Sequence, residues 1–127
     1  MSRFLLVCLG GAFGTGARYL VTGWAPRWLG TGFPYGTFAV NVVGSFLIAV
    51  LMFVGTETTA LPATTRVVLT TGVLGGFTTY SSFSYETMKL LQEGALGLAL
   101  VNVAVTLLGC LAACMLGWAG ARWWVGA

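Results

Sequence analysis

The third apolar segment of this chain is interrupted in its middle by residues that do not suit a lipid-facing helix. Residues 75–83 read GGFTTYSSF, which brings together paired glycines, four serine or threonine hydroxyls and three aromatic rings. Non-helical backbone is tolerated at bilayer depth only where protein encloses it or where it lines a watery path. Polar groups at that depth are costly and are therefore usually functional. The segment predicts a chain built around a pathway or an ion.

The composition indicates an integral membrane protein. Hydrophobic residues make up 57% of the 127 residues and charged residues only 7%, which is too few to cover the surface of a soluble domain. The lipid bilayer is therefore the expected surrounding. The net charge of +3 forms no basic run, which argues against nucleic acid as a partner.

Four apolar segments, each close to the roughly 20 residues that a bilayer requires, predict one all-α transmembrane domain over residues 1–127. The expected spans are about 4–24, 35–55, 64–91 and 95–118, with the third broken near Gly75 to Thr79. Two glycine pairs with four-residue spacing, Gly10/Gly14 and Gly72/Gly76, predict close helix–helix contacts.

The positive charges favour neither orientation in the membrane. With four spans, one face carries Arg3, Arg66 and Arg122, and the other carries Arg18, Arg27 and Lys89. The Lys and Arg bias that normally sets topology is therefore absent. We favour insertion in both orientations, with each chain pairing with an inverted copy of itself around a two-fold axis in the membrane plane. The alternative is a single orientation that boundary effects decide.

Groups for catalysis are scarce in this sequence. It has no His and no Asp, and its three acidic residues, Glu57, Glu86 and Glu93, lie at or near predicted span ends. An enzyme is therefore not expected. A proton-coupled exporter of the small multidrug type would need a carboxylate in mid-span. Glu86 lies about two turns beyond the interruption, which weakens this alternative but leaves it open, together with a non-transporting membrane subunit.

Two asparagines stand in otherwise apolar segments. An unpaired amide in hydrocarbon costs several kcal/mol, so each one must bond to another helix or line a polar pathway. For Asn41 we prefer the pathway. For Asn102 the two roles are equally supported. Arg18, near the end of the first span, either reaches the interface or attracts anions into a vestibule.

The residues that follow the interruption could serve a small anion. Tyr80 and Phe83 share a helix face, and aromatic edges carry partial positive charge. Ser81 and Ser82 add hydroxyl donors, and a donor set without a fixed cation suits an anion that must bind and then leave. Packing is the more ordinary role for such an aromatic pair.

The interruption itself could bind a cation rather than an anion. If the backbone unwinds from Gly75 through Thr78, the freed carbonyls become ligands for a hard cation. Two such breaks in an inverted dimer would surround one ion with four carbonyls. The alternative is a kink whose polar groups are satisfied by the hydroxyls of Thr78 and Thr79.

Three motifs resemble those of the Fluc (CrcB) fluoride channel family. They read GGAFGTGARY at 10–19, GTFAVNVVGSF at 36–46 and GGFTTYSSFS at 75–84, in the family's order and over nearly the whole chain. The resemblance implies an antiparallel, dual-topology homodimer with two pores in the prokaryotic cell membrane. Such a channel passes fluoride passively out of the cell and relieves its toxicity.

The same resemblance implies roles for individual residues. A structural sodium ion at the dimer centre would be held by the main-chain carbonyls of Gly75 and Thr78. The fluoride pathway would comprise Asn41, Tyr80, Ser81, Ser82, Phe83 and Asn102, with Arg18 at the vestibule. Two of these positions depart from the family. Tyr80 stands where the family has a pore phenylalanine, and Asn102 stands where some relatives have a tyrosine.

Overall fold

The computed structural model describes residues 1–126, which fold into helices joined by short turns. In chain order they are α1 (Ser2–Leu29), α2 (Tyr35–Glu57), α3 (Ala63–Val67), a π-helix (Val68–Leu74), α4 (Gly75–Phe77), α5 (Tyr80–Gln92) and α6 (Leu96–Val125). The predicted all-α class is confirmed. We refer to residues 63–92, from the start of α3 to the end of α5, as the broken segment.

Within residues 1–126, three helices are long and apolar enough to cross a membrane. They are α1, α2 and α6, with 28, 23 and 30 residues and mean hydropathies of 1.5, 2.3 and 2.3. Each helix extends past the corresponding predicted span, because a helix can continue beyond the hydrocarbon that sets the span length. The broken segment corresponds to the predicted third span, but its longest helix, α5, has only 13 residues.

The break in this segment is confined to Thr78 and Thr79. Both residues have extended backbones, with φ/ψ of −84°/158° at Thr78 and −153°/114° at Thr79. The expectation that the chain unwinds from Gly75 onward was wrong for Gly75 and Gly76, which remain helical in α4. The physical reason is helix packing, since Gly76 lies directly against the backbone of α1.

The two glycine pairs bring α1 against the broken segment, as predicted. A methyl group at Gly14 would overlap a backbone carbonyl of the π-helix, and one at Gly76 would overlap a backbone carbonyl of α1. Gly10 and Gly72 also face backbone carbonyls, which would lie 3.1 Å and 2.8 Å from an added Cβ. Side chains at these positions would therefore push the two helices apart.

The second major contact joins α2 to α6. Val40 and Ala99 are almost completely buried, and Phe53 packs edge-on against Trp118 with 5.9 Å between ring centroids. Most other large apolar side chains of these helices point outward; Met115, for example, is 72% exposed. An apolar exterior of this kind suits contact with lipid or with another membrane helix.

Candidate functional site

A cavity of about 510 Å³ lies beside the break, between α2, the broken segment and α6. Its walls include five of the predicted site residues: Asn41, Gly75, Thr78, Tyr80 and Phe83. These residues come from two separate parts of the sequence, and the fold brings them to one surface. The remaining wall is mostly apolar, with Ile48, Leu74, Val103 and Leu107 among its residues.

The side-chain amide of Asn41 is bound to the backbone at the break. Its Oδ1 accepts a hydrogen bond from the N–H of Thr79 at 2.8 Å, and its Nδ2 donates to the carbonyl of Thr79 at 3.0 Å. Both backbone groups of an extended residue inside an apolar segment are thereby satisfied, as buried backbone requires. An amide nitrogen carries two N–H groups, so one further donor is available to the cavity that Asn41 lines.

The hydroxyl of Thr79 organises the two serines that follow it. Its Oγ1 accepts from the N–H of Ser82 at 3.2 Å, which caps the N-terminus of α5. The same hydroxyl donates to Ser82 Oγ at 3.0 Å and lies 3.3 Å from Ser81 Oγ. Ser81 and Ser82 do not line the cavity, but they connect to it through Thr79, which does.

The carbonyl of Gly75 has lost its usual helical partner. In a continuous α-helix it would accept from the N–H of Thr79, which donates to Asn41 instead. The hydroxyl of Thr78 turns back to the carbonyl of Leu74 at 2.9 Å, as the kink alternative expected. The break therefore combines the satisfied hydroxyl of Thr78 with the freed carbonyl of Gly75, an oxygen of the kind that binds hard cations.

The two aromatic residues lie together at the cavity wall. The ring centroids of Tyr80 and Phe83 are 5.7 Å apart, and the planes are tilted by 51°. The Tyr80 side chain is 80% exposed in the single chain, whereas Phe83 is half-buried. Both rings therefore lie at the wall of the cavity that Asn41 also lines.

Asn102 is a residue of α6 that does not itself line this cavity and that contacts α5. It is only 1% exposed, and its Nδ2 donates to the hydroxyl of Thr87 at 2.9 Å. Thr87 in turn donates to the main-chain carbonyl of Phe83 at 2.8 Å, and the hydroxyl of Thr106 donates to the side-chain Oδ1 of Asn102 at 3.4 Å. The structure therefore gives Asn102 an interhelical hydrogen bond, while a part in the fluoride pathway stays a prediction.

Arg18 lies half-buried on α1, outside the cavity at the break. Its carbonyl accepts from the hydroxyl of Thr22 at 2.9 Å, and Thr22 lines a second cavity of about 230 Å³. Thr37 and Glu86 also line that second cavity, where Thr37 donates to Glu86 Oε1 at 2.7 Å. The other carboxylate oxygen, Oε2, is buried, and no partner for it is found among the described residues.

Sequence analysis missed the central position of Thr79. A threonine three residues before Ser82, directly after an interruption, has the features of an N-cap, and this signal was available in the sequence. The bond between Thr37 and Glu86 was also missed, because nothing in the sequence relates residues 49 positions apart.

Comparison with known proteins agrees with the motifs. The family model for CrcB-like protein, Camphor Resistance (CrcB), matches residues 5–118. The chain belongs to the CrcB family. The resemblance inferred from the three motifs is thus confirmed, and this CrcB-family chain, with its three membrane-capable helices, is a multi-pass protein of the prokaryotic cell membrane.

Curated relatives match the CrcB-family chain over nearly its full length. The protein named fluoride-specific ion channel FluC from Anaeromyxobacter dehalogenans is 52% identical over 126 residues, which is 99% of this chain and 100% of the relative. The proteins of the same name from Geobacter metallireducens and Sorangium cellulosum are 49% and 48% identical. They cover 96% of this chain, and the matches span 98% and 96% of the relatives.

Proposed function

We propose that this CrcB-family chain forms a fluoride-selective channel that lets fluoride leave the cell passively and so limits its toxicity. The curated relatives that match the whole chain carry the name fluoride-specific ion channel. One structural observation supports the proposal for this chain: Asn41, Tyr80 and Phe83 line one cavity beside broken helical backbone.

The chemistry of the cavity favours a small anion. An amide N–H and hydroxyl hydrogens can donate to fluoride, and aromatic edges add weak positive potential. None of the described residues that line the cavity is acidic or basic. A set of moderate donors without a fixed counter-charge allows an anion to bind and still to move on, as conduction requires.

The proposal includes an antiparallel dimer in which the broken segment forms the third membrane crossing. The cavity at the break opens to the outside of the single chain, where Tyr80 is 80% exposed. An inverted second copy would close this opening and place the two breaks next to each other. Two chains then give two equivalent pathways, one beside each break.

A sodium ion between the two breaks is part of the same proposal. Each chain would contribute the carbonyls of Gly75 and Thr78, which gives four oxygen ligands at the two-fold axis. Two carbonyls from one chain are too few ligands for a hard cation, and the second copy raises the number to four. Sodium would thereby hold the dimer together, with no part in fluoride movement itself.

A proton-coupled exporter is the competing hypothesis, because Glu86 is an acidic residue with one buried carboxylate oxygen. Its carboxylate lies in the second cavity, where Thr37 binds it. The channel has no need for this group to exchange protons with a substrate. The two functions therefore differ in their dependence on a proton gradient and on Glu86.

Fluoride efflux from liposomes that contain the purified protein tests the proposal. We expect rapid efflux down the fluoride gradient when potassium flow balances the charge, and almost no efflux of chloride. An imposed proton gradient should not drive fluoride uphill, and Glu86→Gln should still pass fluoride. Uphill transport that disappears in Glu86→Gln would establish the exporter, and absence of any fluoride flux would reject the channel.

A separate experiment tests dual topology. After Cys8, Cys110 and Cys114 are replaced by serine or alanine, one new cysteine in the loop between α1 and α2 can be labelled from each side of the membrane. Labelling of about half the molecules from each side is expected. Complete labelling from one side only would reject the inverted dimer.

A further inference from the structure

We propose that the C-terminal end of α1 binds the phosphate group of an anionic phospholipid, with Arg27 as the phosphate ligand between Trp24 and Trp28. We refer to these three residues as the α1 lipid site. The site is independent of the fluoride pathway, because none of its residues lines the cavity at the break.

The geometry of the α1 lipid site comes from helical spacing. Arg27 and Trp28 follow Trp24 by three and four residues, so both lie on the same face of α1 as Trp24. Together they line an open region of the protein surface, and no other described residue contributes to its lining. Trp24 is 53% exposed and Trp28 is 85% exposed, so both rings are available to a molecule from the bilayer.

The position along the helix places this region at the membrane surface. The apolar helix α1 ends at Leu29, and Gly30, with a φ of 85°, turns the chain. The chain then returns as α2 from Tyr35. Tryptophan rings concentrate at the level of the lipid headgroups, which is where phosphate groups also lie.

Among residues 1–126, the guanidinium of Arg27 is not held by another group, in contrast to three other cations. Arg66 bonds to the carbonyl of Gly55, Lys89 pairs with Glu93 at 3.8 Å, and Arg122 lies over the ring of Trp118. No hydrogen bond or ion pair of the exposed Arg27 guanidinium is found within residues 1–126.

The guanidinium of Arg27 is suited to binding a phosphate group. A guanidinium donates two parallel hydrogen bonds to phosphate oxygens, and the flanking indole rings can pack against the glycerol and the upper acyl chains. A cation near the surface also attracts anionic lipids over zwitterionic ones, by about fivefold for one charge. An anionic phospholipid therefore satisfies Arg27 and covers both exposed rings at once.

Native mass spectrometry of the full-length protein with phosphatidylglycerol and phosphatidylcholine tests this proposal. We expect the wild type to retain phosphatidylglycerol in preference, and Arg27→Gln to lose that preference by about fivefold. Arg122→Gln is the matched control and should keep the preference, because Arg122 already lies against Trp118. Equal retention of both lipids by the wild type, or an unchanged preference in Arg27→Gln, would overturn the proposal.

Two further measurements complete the test. Inorganic phosphate at the same concentration should leave the lipid bound, and its displacement of the lipid would mean that the site takes free phosphate instead.

If Arg27→Gln does not fold, tryptophan fluorescence of the wild type and of Trp28→Phe replaces the mass spectrometry of that variant. Brominated phosphatidylglycerol should quench the wild type more than brominated phosphatidylcholine does, and the excess should fall in Trp28→Phe. Equal quenching by the two lipids overturns the proposal.

Discussion

The amide of Asn41 holds both backbone groups of Thr79, accepting from the N–H at 2.8 Å and donating to the carbonyl at 3.0 Å. This pair of hydrogen bonds joins the middle of α2 to the break. It explains how an extended residue can persist inside an apolar segment, because neither of its backbone groups is left without a partner. The residue proposed to meet fluoride thus also fixes the shape of the site.

Asn41→Ala should therefore lower both fluoride flux and stability. The substitution leaves the N–H and the carbonyl of Thr79 without these bonds, at a cost of about 1–3 kcal/mol for each buried group. Thermal unfolding in detergent and fluoride efflux from liposomes measure the two effects.

Ser45→Ala is the matched control for Asn41→Ala. Ser45 lies one turn further along α2, lines the same cavity and donates its hydroxyl to the main-chain carbonyl of Asn41 at 2.7 Å. We expect this variant to stay close to the wild type in stability. If Asn41→Ala is no less stable than Ser45→Ala, the proposed support of the break is wrong.

Substitutions at Thr79 should separate its hydroxyl from its backbone. Thr79→Val keeps the backbone bonds to Asn41 but removes the N-cap of α5, which costs about 1 kcal/mol. It also releases Ser82, so we expect lower fluoride flux in efflux assays. Thr79→Ser retains the hydroxyl and should restore both properties. Equal flux through the valine and serine variants would argue against a role for this hydroxyl.

Local features of this fold could be predicted from the sequence, whereas contacts between distant residues could not. Hydrophobic segments and the GGFTTYSSF motif predicted the helices and an interruption, because local composition decides both. The sequence did not show that the break is limited to Thr78 and Thr79, because that limit depends on the packing of Gly76 against α1. It also could not reveal that Asn41 binds the backbone of Thr79, because the two residues are 38 positions apart.

The glycine pairs were predictable for a related reason. Four-residue spacing puts Gly10 and Gly14 on one face of α1, and Gly72 and Gly76 can likewise share a face of the broken segment. The spacing could not show that each of these glycines faces a backbone carbonyl. A backbone carbonyl, unlike a flexible side chain, cannot move aside to make room for an added methyl group. That knowledge makes the cost of a substitution predictable.

Gly14→Ala should destabilise the protein strongly. The added methyl group would overlap the carbonyl of Val73, so α1 and the π-helix must separate, at a typical cost of about 1–3 kcal/mol. Gly16→Ala is the matched control on the same helix, because a Cβ there has no atom within 4 Å. Thermal unfolding of the two variants compares them. Similar unfolding temperatures would contradict the close approach of the helices.

Asn102→Ala should lower the stability of the protein more than it changes the selectivity for fluoride over chloride. It removes the donor to Thr87, whose hydroxyl bonds to the carbonyl of Phe83, and so weakens the connection between α5 and α6. Because the two side chains share one bond, the effects of Asn102→Ala and Thr87→Val on unfolding should not add. Additive effects, or a change in fluoride-over-chloride selectivity for Asn102→Ala, would instead favour a place in the pathway.

Gly75→Leu tests the proposed sodium site at the dimer centre. Within one chain, a Cβ at this position meets only the carbonyl of Thr70, at 3.8 Å, so the chain itself has room for a first side-chain atom. In the dimer, the same side chain would lie between the two breaks and displace the ion or the partner. We therefore expect folded protein that no longer forms a crosslinked dimer.

Sodium dependence distinguishes loss of the ion from general damage. Replacing sodium by a large organic cation should weaken the wild-type dimer in crosslinking experiments, whereas Gly75→Leu should be monomeric in both salts. Gly97→Leu is a suitable control, because a Cβ at Gly97 has no atom within 4 Å and the residue lies at the start of α6, away from the break. A sodium-independent wild-type dimer, or a normal dimer of Gly75→Leu, would show that the two breaks do not share an ion.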